Sequence, residues 1–134
     1  MQPETANPET PLEFLHRHLE SIFSRDWEGY RATTSADLTL YEHFVTPHRQ
    51  EGLAFHQFMI ENSWATAGKP HHISVLEPKI QELAGGMVVV MTYTLMLSTV
   101  EDAGLKHRTH NETRVLERSG ESWKVVHVHK SPGG

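Results

Sequence analysis

The residues best placed to do chemistry lie in one alternating stretch near the end of the chain. Arg108, His110, Glu112 and Arg114 occur at every second position and are followed by Leu116. In an extended strand, residues two apart share a face, so all five point the same way. Charges on a half-buried strand ordinarily face water, which accounts for Arg108 and Arg118. Arg114 fits that rule poorly. It lies mid-strand, flanked by the β-formers Thr113 and Val115, with Leu116 on its own face. A charge in such a place is either paired or lines a cavity. Two roles stay open for it. The guanidinium can offer a bidentate fork to a carboxylate or phosphate, or it can pair with Glu112 and hold the sheet together.

Histidine is the other chemically versatile residue, and there are eleven. His16 and His18 are two apart on an expected helix and do not share a face. His71 and His72 are adjacent on an expected strand and point to opposite faces. His127 and His129 share a strand face, a spacing that would suit a metal. No carboxylate is fixed beside them, so hydrogen-bonded or interface histidines are the ordinary reading and no metal site is assigned. The Gly-rich phosphate cradles, the G-x-S-x-G elbow and H-E-x-x-H are absent, and no cofactor is expected. Cysteine is also absent, which removes disulfides, thiolate nucleophiles and Cys-type zinc sites.

The elements that must position these residues are legible in outline. Thr10-Pro11-Leu12-Glu13 has the cap, first-turn proline and capping-box glutamate of a helix start. Leu12, Leu15, Leu19, Ile22 and Phe23 follow at helical spacing, with an end near Ser24 or Arg25. A short second helix is expected over 26–31 with Asp26 as cap. Residues 38–43 alternate, with Leu38, Leu40 and Glu42 on one side and Thr39, Tyr41 and His43 on the other, and read as a strand. A third helix is expected over 50–64. After Pro70 comes a meander of strands over 71–83, 87–100, 106–118 and 122–130, with turns at Gly85-Gly86, Asp102-Ala103-Gly104 and Ser119-Gly120. Pro78 marks an edge or bulge. The 87–100 strand is apolar on both faces and belongs inside the sheet. Helices followed by antiparallel strands define an α+β fold.

The chain of 134 residues carries 12 Lys and Arg against 17 Asp and Glu, a net charge of −5. That is the wrong sign for a nucleic-acid partner. The size fits one domain over 10–131, with a flexible tail at 1–9 and another at 132–134. The polar start lacks a signal-peptide pattern and no apolar run approaches the ~20 residues of a membrane helix. A cytoplasmic protein without a membrane partner is expected, which makes Asn111-Glu112-Thr113 a coincidental glycosylation pattern.

Several motifs in register resemble one family. Asn111-Glu112-Thr113-Arg114-Val115, Gly120, Trp123, Val126-His127, His129 and Ser131 resemble the end of the association domain of calcium/calmodulin-dependent protein kinase II. Glu51-Gly52-Leu53, Phe55-His56, Phe58, Glu61-Asn62, Lys69-Pro70-His71 and Leu76-Glu77-Pro78 match it upstream in order, and Tyr41-Glu42 resembles its Phe-Glu pair. The resemblance runs over 26–131, and the Gly-rich loop of a kinase is missing, so a free-standing relative is expected. It implies the cone of the nuclear transport factor 2-like superfamily, a strongly curved antiparallel sheet wrapped over helices. It also implies homo-oligomers, dimers through the open sheet face and sometimes rings, and a deep pocket lined by arginines. Arg114 matches one of these. Lys130 stands where the family has another; by parity it shares a face with Val126 and Val128. The third falls near Thr94 or Met96, so the pocket should be less basic than in the kinase while still able to hold one anion. Tyr41 and His43 would reach the same cavity.

Three functions are therefore open. One is a self-associating assembly module. A second is an enzyme of the ketosteroid-isomerase or polyketide-cyclase type, for which Tyr41, His43, Tyr93 and Glu112 are the available acid–base and oxyanion groups. A third is a binding site for a small anion built on Arg114 and Lys130.

Overall fold

The computed structural model describes residues 8–42, 46–62 and 69–133. The first helix, α1, spans Pro11–Phe23 and opens on the expected capping box: Thr10 accepts from the Glu13 amide, and the Glu13 carboxylate accepts from the Thr10 amide. It closes through a Schellman turn, in which Asp26 N–H reaches Ser21 O (2.8 Å) and Arg25 N–H reaches Ile22 O (3.3 Å). Arg25 takes the left-handed conformation (φ 59°) that glycine usually supplies there. An arginine is useful at that corner because its guanidinium donates to Ile60 O and Glu61 O of a later helix. Helix α2 spans Trp27–Thr33, two residues past its expected end, and is capped by Asp26.

Among the described residues, six strands make one sheet: β1 Thr34–Glu42, β2 Thr46–Glu51, β3 His71–Leu83, β4 Val88–Glu101, β5 Gly104–Ser119 and β6 Ser122–Pro132. Their spatial order is β2-β1-β6-β5-β4-β3. The meander from β3 to β6 is antiparallel, as the turn chemistry requires, and β1 returns alongside β6 in parallel. Helix α3, Ala54–Asn62, begins later than expected because residues 46–51 form a hairpin with β1. Register shifts break the ladders in β3 between Leu76 and Lys79, in β6 around Val126 and in β1 near Tyr41. Such bulges bend a sheet and increase its twist, which curls its flanks around the helices.

The core fills the concave side. Phe14, Leu15, Leu19 and Ile22 of α1 meet Val89, Met91 and Leu95 of β4, Leu116 of β5, and Trp123, Val125 and Val128 of β6, all buried. Each such side chain contributes roughly 1.5–3 kcal/mol relative to exposure. Within this apolar shell lie His18, Glu42, His56, Glu112, Arg114 and Lys130, buried as deeply as the leucines around them.

Candidate functional site

Strand β5 alternates as its sequence implies. Glu112, Arg114 and Leu116 point inward, whereas Asn111, Thr113 and Val115 lie on the outer face. The register sets Tyr93 of β4 opposite Glu112, and Met91 opposite Arg114. Tyr93 donates its hydroxyl proton to Glu112 Oε1 (2.7 Å) and accepts from Arg114 Nη1 (2.6 Å), which also bonds Glu112 Oε1. The Glu112–Arg114 pair open at the sequence level is thus present. It occupies one nitrogen of the guanidinium. Arg114 Nε and Nη2, although fully buried, have no hydrogen-bond partner among the described residues, and neither does Glu112 Oε2. Nε–H and Nη2–H form the side-on fork that matches a carboxylate bidentately. Burial opposes the charge of Arg114, but Tyr93 and Glu112 outweigh it and hold the group firmly protonated. The Tyr93 hydroxyl is pushed well up by burial and stays neutral.

A second group is organised around Glu42 at the end of β1. Its strand partner in register is Lys130 of β6, and Lys130 Nζ lies 3.0 Å from Glu42 Oε1. His56 Nε2 of α3 is 2.8 Å from the same oxygen, and Tyr30 of α2 is hydrogen-bonded to His56 Nδ1. Burial would raise the Glu42 carboxyl, but the Lys130 charge and the His56 hydrogen bond push it down to about 2. Burial also holds His56 below its ordinary value, so the ring is neutral, with Glu42 opposing that shift only in part. An ionised carboxylate can only accept, so Nε2 carries the proton; Nδ1 is then a lone pair that accepts from Tyr30. Burial raises the Tyr30 hydroxyl and keeps it a donor.

His18 of α1 completes the cluster. Its ring stacks on Phe14 and lies 5.2 Å from the Tyr30 ring, and its Nδ1 is 2.7 Å from Thr33 Oγ1. The Thr33 hydroxyl has one proton, directed at Gly29 O and Tyr30 O (both 3.1 Å). His18 Nε2 is buried without a partner among the described residues.

Arg114, Lys130, Tyr93 and Glu112 gather on the concave side as expected. Tyr41 does not. Leu38, Leu40 and Glu42 face inward, so Tyr41 is on the outer face, with ring centroids 6.3 Å from His127 and 5.2 Å from His129. His43 lies outside the described residues. Thr94 is also outward. It donates to Asn111 Oδ1 (2.7 Å) in an open groove lined by Glu77, Thr113 and Ser131. The bulge at Val126 shifts the count in β6: Lys130 shares its face with Val128, Val125 and Trp123, not with Val126. His127 and His129 share the outer face, and His127 is hydrogen-bonded to Thr39 (2.8 Å). No group of three or more metal-ligating side chains occurs among the described residues. Sequence reasoning missed Glu42, His56, Tyr30 and His18. For Glu42 the signal was available, because Leu38 and Leu40 mark its face as the buried one.

A curved sheet closed over helices is the nuclear transport factor 2-like fold: a protein of that superfamily from Salmonella enterica superposes with a TM-score of 0.67 at 18% identity over 91% of this chain and 87% of its own. More narrowly, the calcium/calmodulin dependent protein kinase II association domain family matches residues 10–134, and the chain belongs to that family. The crystal structure of an S. rosetta CaMKII hub superposes with a TM-score of 0.81 at 28% identity, over 96% of this chain and 99% of that one. The Drosophila melanogaster calcium/calmodulin-dependent protein kinase type II alpha chain is 28% identical over 97% of this chain but only 24% of its own length. A Caenorhabditis elegans relative is 25% identical over 84% of this chain and 15% of its own length. The chain thus spans about a quarter or less of these two relatives. A putative ketosteroid isomerase from Shewanella frigidimarina shares the fold (TM-score 0.65, 18% identity, over 88% of this chain and 91% of that one). Among the described residues, no helix is long and apolar enough to cross a membrane.

Proposed function

We propose that the protein is a self-associating module whose interior binds a small anion, a short carboxylate in the first instance, on Arg114. The observation that carries the binding half is the buried Nε–Nη2 edge of Arg114, which has no partner among the described residues. An unmet buried donor costs about 1–3 kcal/mol, more when charged, and a carboxylate on that fork would recover it. Lys130 is committed to Glu42 in this reading and contributes field more than contact. Differential scanning fluorimetry with acetate, propionate and phosphate tests it: saturating ligand, ~100 times its dissociation constant, adds about 2.7 kcal/mol to stability. Arg114→Met should abolish the shift. Equal stabilisation of that variant, or no stabilisation by any anion, would reject the binding site.

The self-association half rests on family membership and on β4, whose outer residues Val88, Val90 and Met96 are half-buried while the inner ones are fully buried. A two-fold copy on the open face would cover the outer set. Light scattering that finds only monomers at micromolar concentration would defeat it.

The enzyme reading keeps one specific support, the Glu42–His56–Tyr30 line. A carboxylate that orients a neutral imidazole against a hydroxyl is an acid–base arrangement. Turnover of a ketone or enol ester that is lost in His56→Gln at unchanged stability would favour it; an inert panel would not.

A further inference from the structure

Two histidines stand in the middle of the outer sheet face. Strand β6 is the third of six in the sheet, and both His127 and His129 face outward from it, His127 half-buried and His129 exposed. In register they lie between Thr39 and Tyr41 of β1 on one side and Val115 and Thr113 of β5 on the other. His127 Nδ1 is 2.8 Å from Thr39 Oγ1, and the Tyr41 ring lies beside both imidazoles, nearer to His129. None of these four neighbours is an acid. At their strand spacing the two histidines are about 7 Å apart, close enough for two imidazolium charges to repel.

The charged groups of this face lie toward its margins. Arg49 and Glu51 of β2 pair with each other, and Asp37 precedes Thr39 by two residues on β1. Glu117 of β5 and Lys124 of β6 are opposite one another toward the turn that joins those strands. Glu77 and Lys79 belong to the far edge strand β3, and Glu77 lines the groove that ends at His129 and Ser131. The centre of the face is thus neutral when the imidazoles are neutral and cationic when they are not.

A covered surface accommodates neutral imidazoles, which keep their hydrogen bonds. Charges taken out of water without a counter-charge are costly, and the centres of protein interfaces are depleted of them. We propose that acid releases self-association of this chain: a second copy seats on the open face while His127 and His129 are neutral, and protonation of these rings drives the copies apart. This rests on the self-association proposed above and specifies how it is regulated. The single chain already leans in this direction. Burial, and then the neighbouring His129, hold His127 below its ordinary value, with the Thr39 contact opposing that shift in part. Further cover deepens the first of these effects. Because the assembled form prefers the neutral rings, affinity is fully present above the pKa of the uncovered ring and is lost as pH falls through it.

The test is light scattering of the full chain across a dilution series from about pH 8 to pH 6, with circular dichroism of every sample confirming the fold. A ring that titrates near 6.5 when uncovered, and is covered once in each copy, should raise the dissociation constant about tenfold or more over that range. His127→Gln/His129→Gln should bring the constant close to pH-independent, and His129→Gln alone, the milder change, should remove part of the dependence. His72 and His107 also lie on this face, flanking Ser98 at its far end, and His72→Gln/His107→Gln should leave the dependence intact. A wild-type constant that does not change with pH, one that tightens at low pH, or a dependence undiminished in His127→Gln/His129→Gln and in His129→Gln would overturn this proposal and leave self-association standing. Folded monomers at every pH would overturn both.

Discussion

Glu42 is the residue whose loss should be felt most widely, because two cationic or donor groups converge on one of its oxygens. Lys130 Nζ is 3.0 Å and His56 Nε2 is 2.8 Å from Glu42 Oε1, and all three side chains are buried. In Glu42→Gln the amide oxygen can still accept from His56, but Lys130 loses the opposing carboxylate. Breaking a buried pair on one side costs about 3–5 kcal/mol, against a total stability of roughly 5–15 kcal/mol for a domain. Lys130→Met leaves the carboxylate without its strongest favourable charge and should cost a similar amount. The double variant Glu42→Gln/Lys130→Met removes both charges, so its cost should be far below the sum of the singles, with a coupling of roughly 2 kcal/mol or more. Urea unfolding of the four proteins measures this, provided the m-value is constant across the set. Additive costs, or a Glu42→Gln cost under about 1 kcal/mol, would refute the claim that this pair is a desolvated charge pair.

Other consequences are narrower. His18 and His56 are both held below their ordinary values by burial, so the unfolded chain takes up protons that the folded one refuses. Their contribution is fully present above about pH 6.5 and is lost as pH falls below it, by about 1.4 kcal/mol per pH unit for each group; a pH–stability curve flat from 7 to 5 would contradict the two neutral rings. Thr10→Ala removes the oxygen that caps α1 and should cost about 1 kcal/mol, measured by thermal unfolding. Phe14→Ala empties a fully buried position beside Trp123 and His18 and should cost about 3–5 kcal/mol in urea unfolding. Tyr41→Ala should leave acetate stabilisation unchanged, because its ring lies on the outer face with His127 and His129.

What the sequence determined by itself was whatever depends on near neighbours. Thr10 and Glu13 are three residues apart, so their reciprocal capping follows from local geometry. The two-residue period of β5 put Glu112 and Arg114 on one side whatever lay beneath them, and β3 runs over 71–83 as its turn signals imply. Sequence motifs carried the family in the same way, since they need only order and spacing. Tertiary structure decided which side was the inside and which atoms were satisfied. Glu42 and Tyr41 are adjacent, and only the placement of β1 against β6 under the helices buries one and leaves the other half-buried on the outer face. The bulge at Val126 changes the parity of everything before it relative to Lys130, and a bulge forms where two ladders must be reconciled across the sheet. The unpartnered Nε2 of His18 is the clearest case: whether a ring nitrogen buried on α1 finds a partner depends on what the other elements bring beside it. Hydrogen-bond satisfaction is a property of the assembled interior, because it counts partners that only folding brings together.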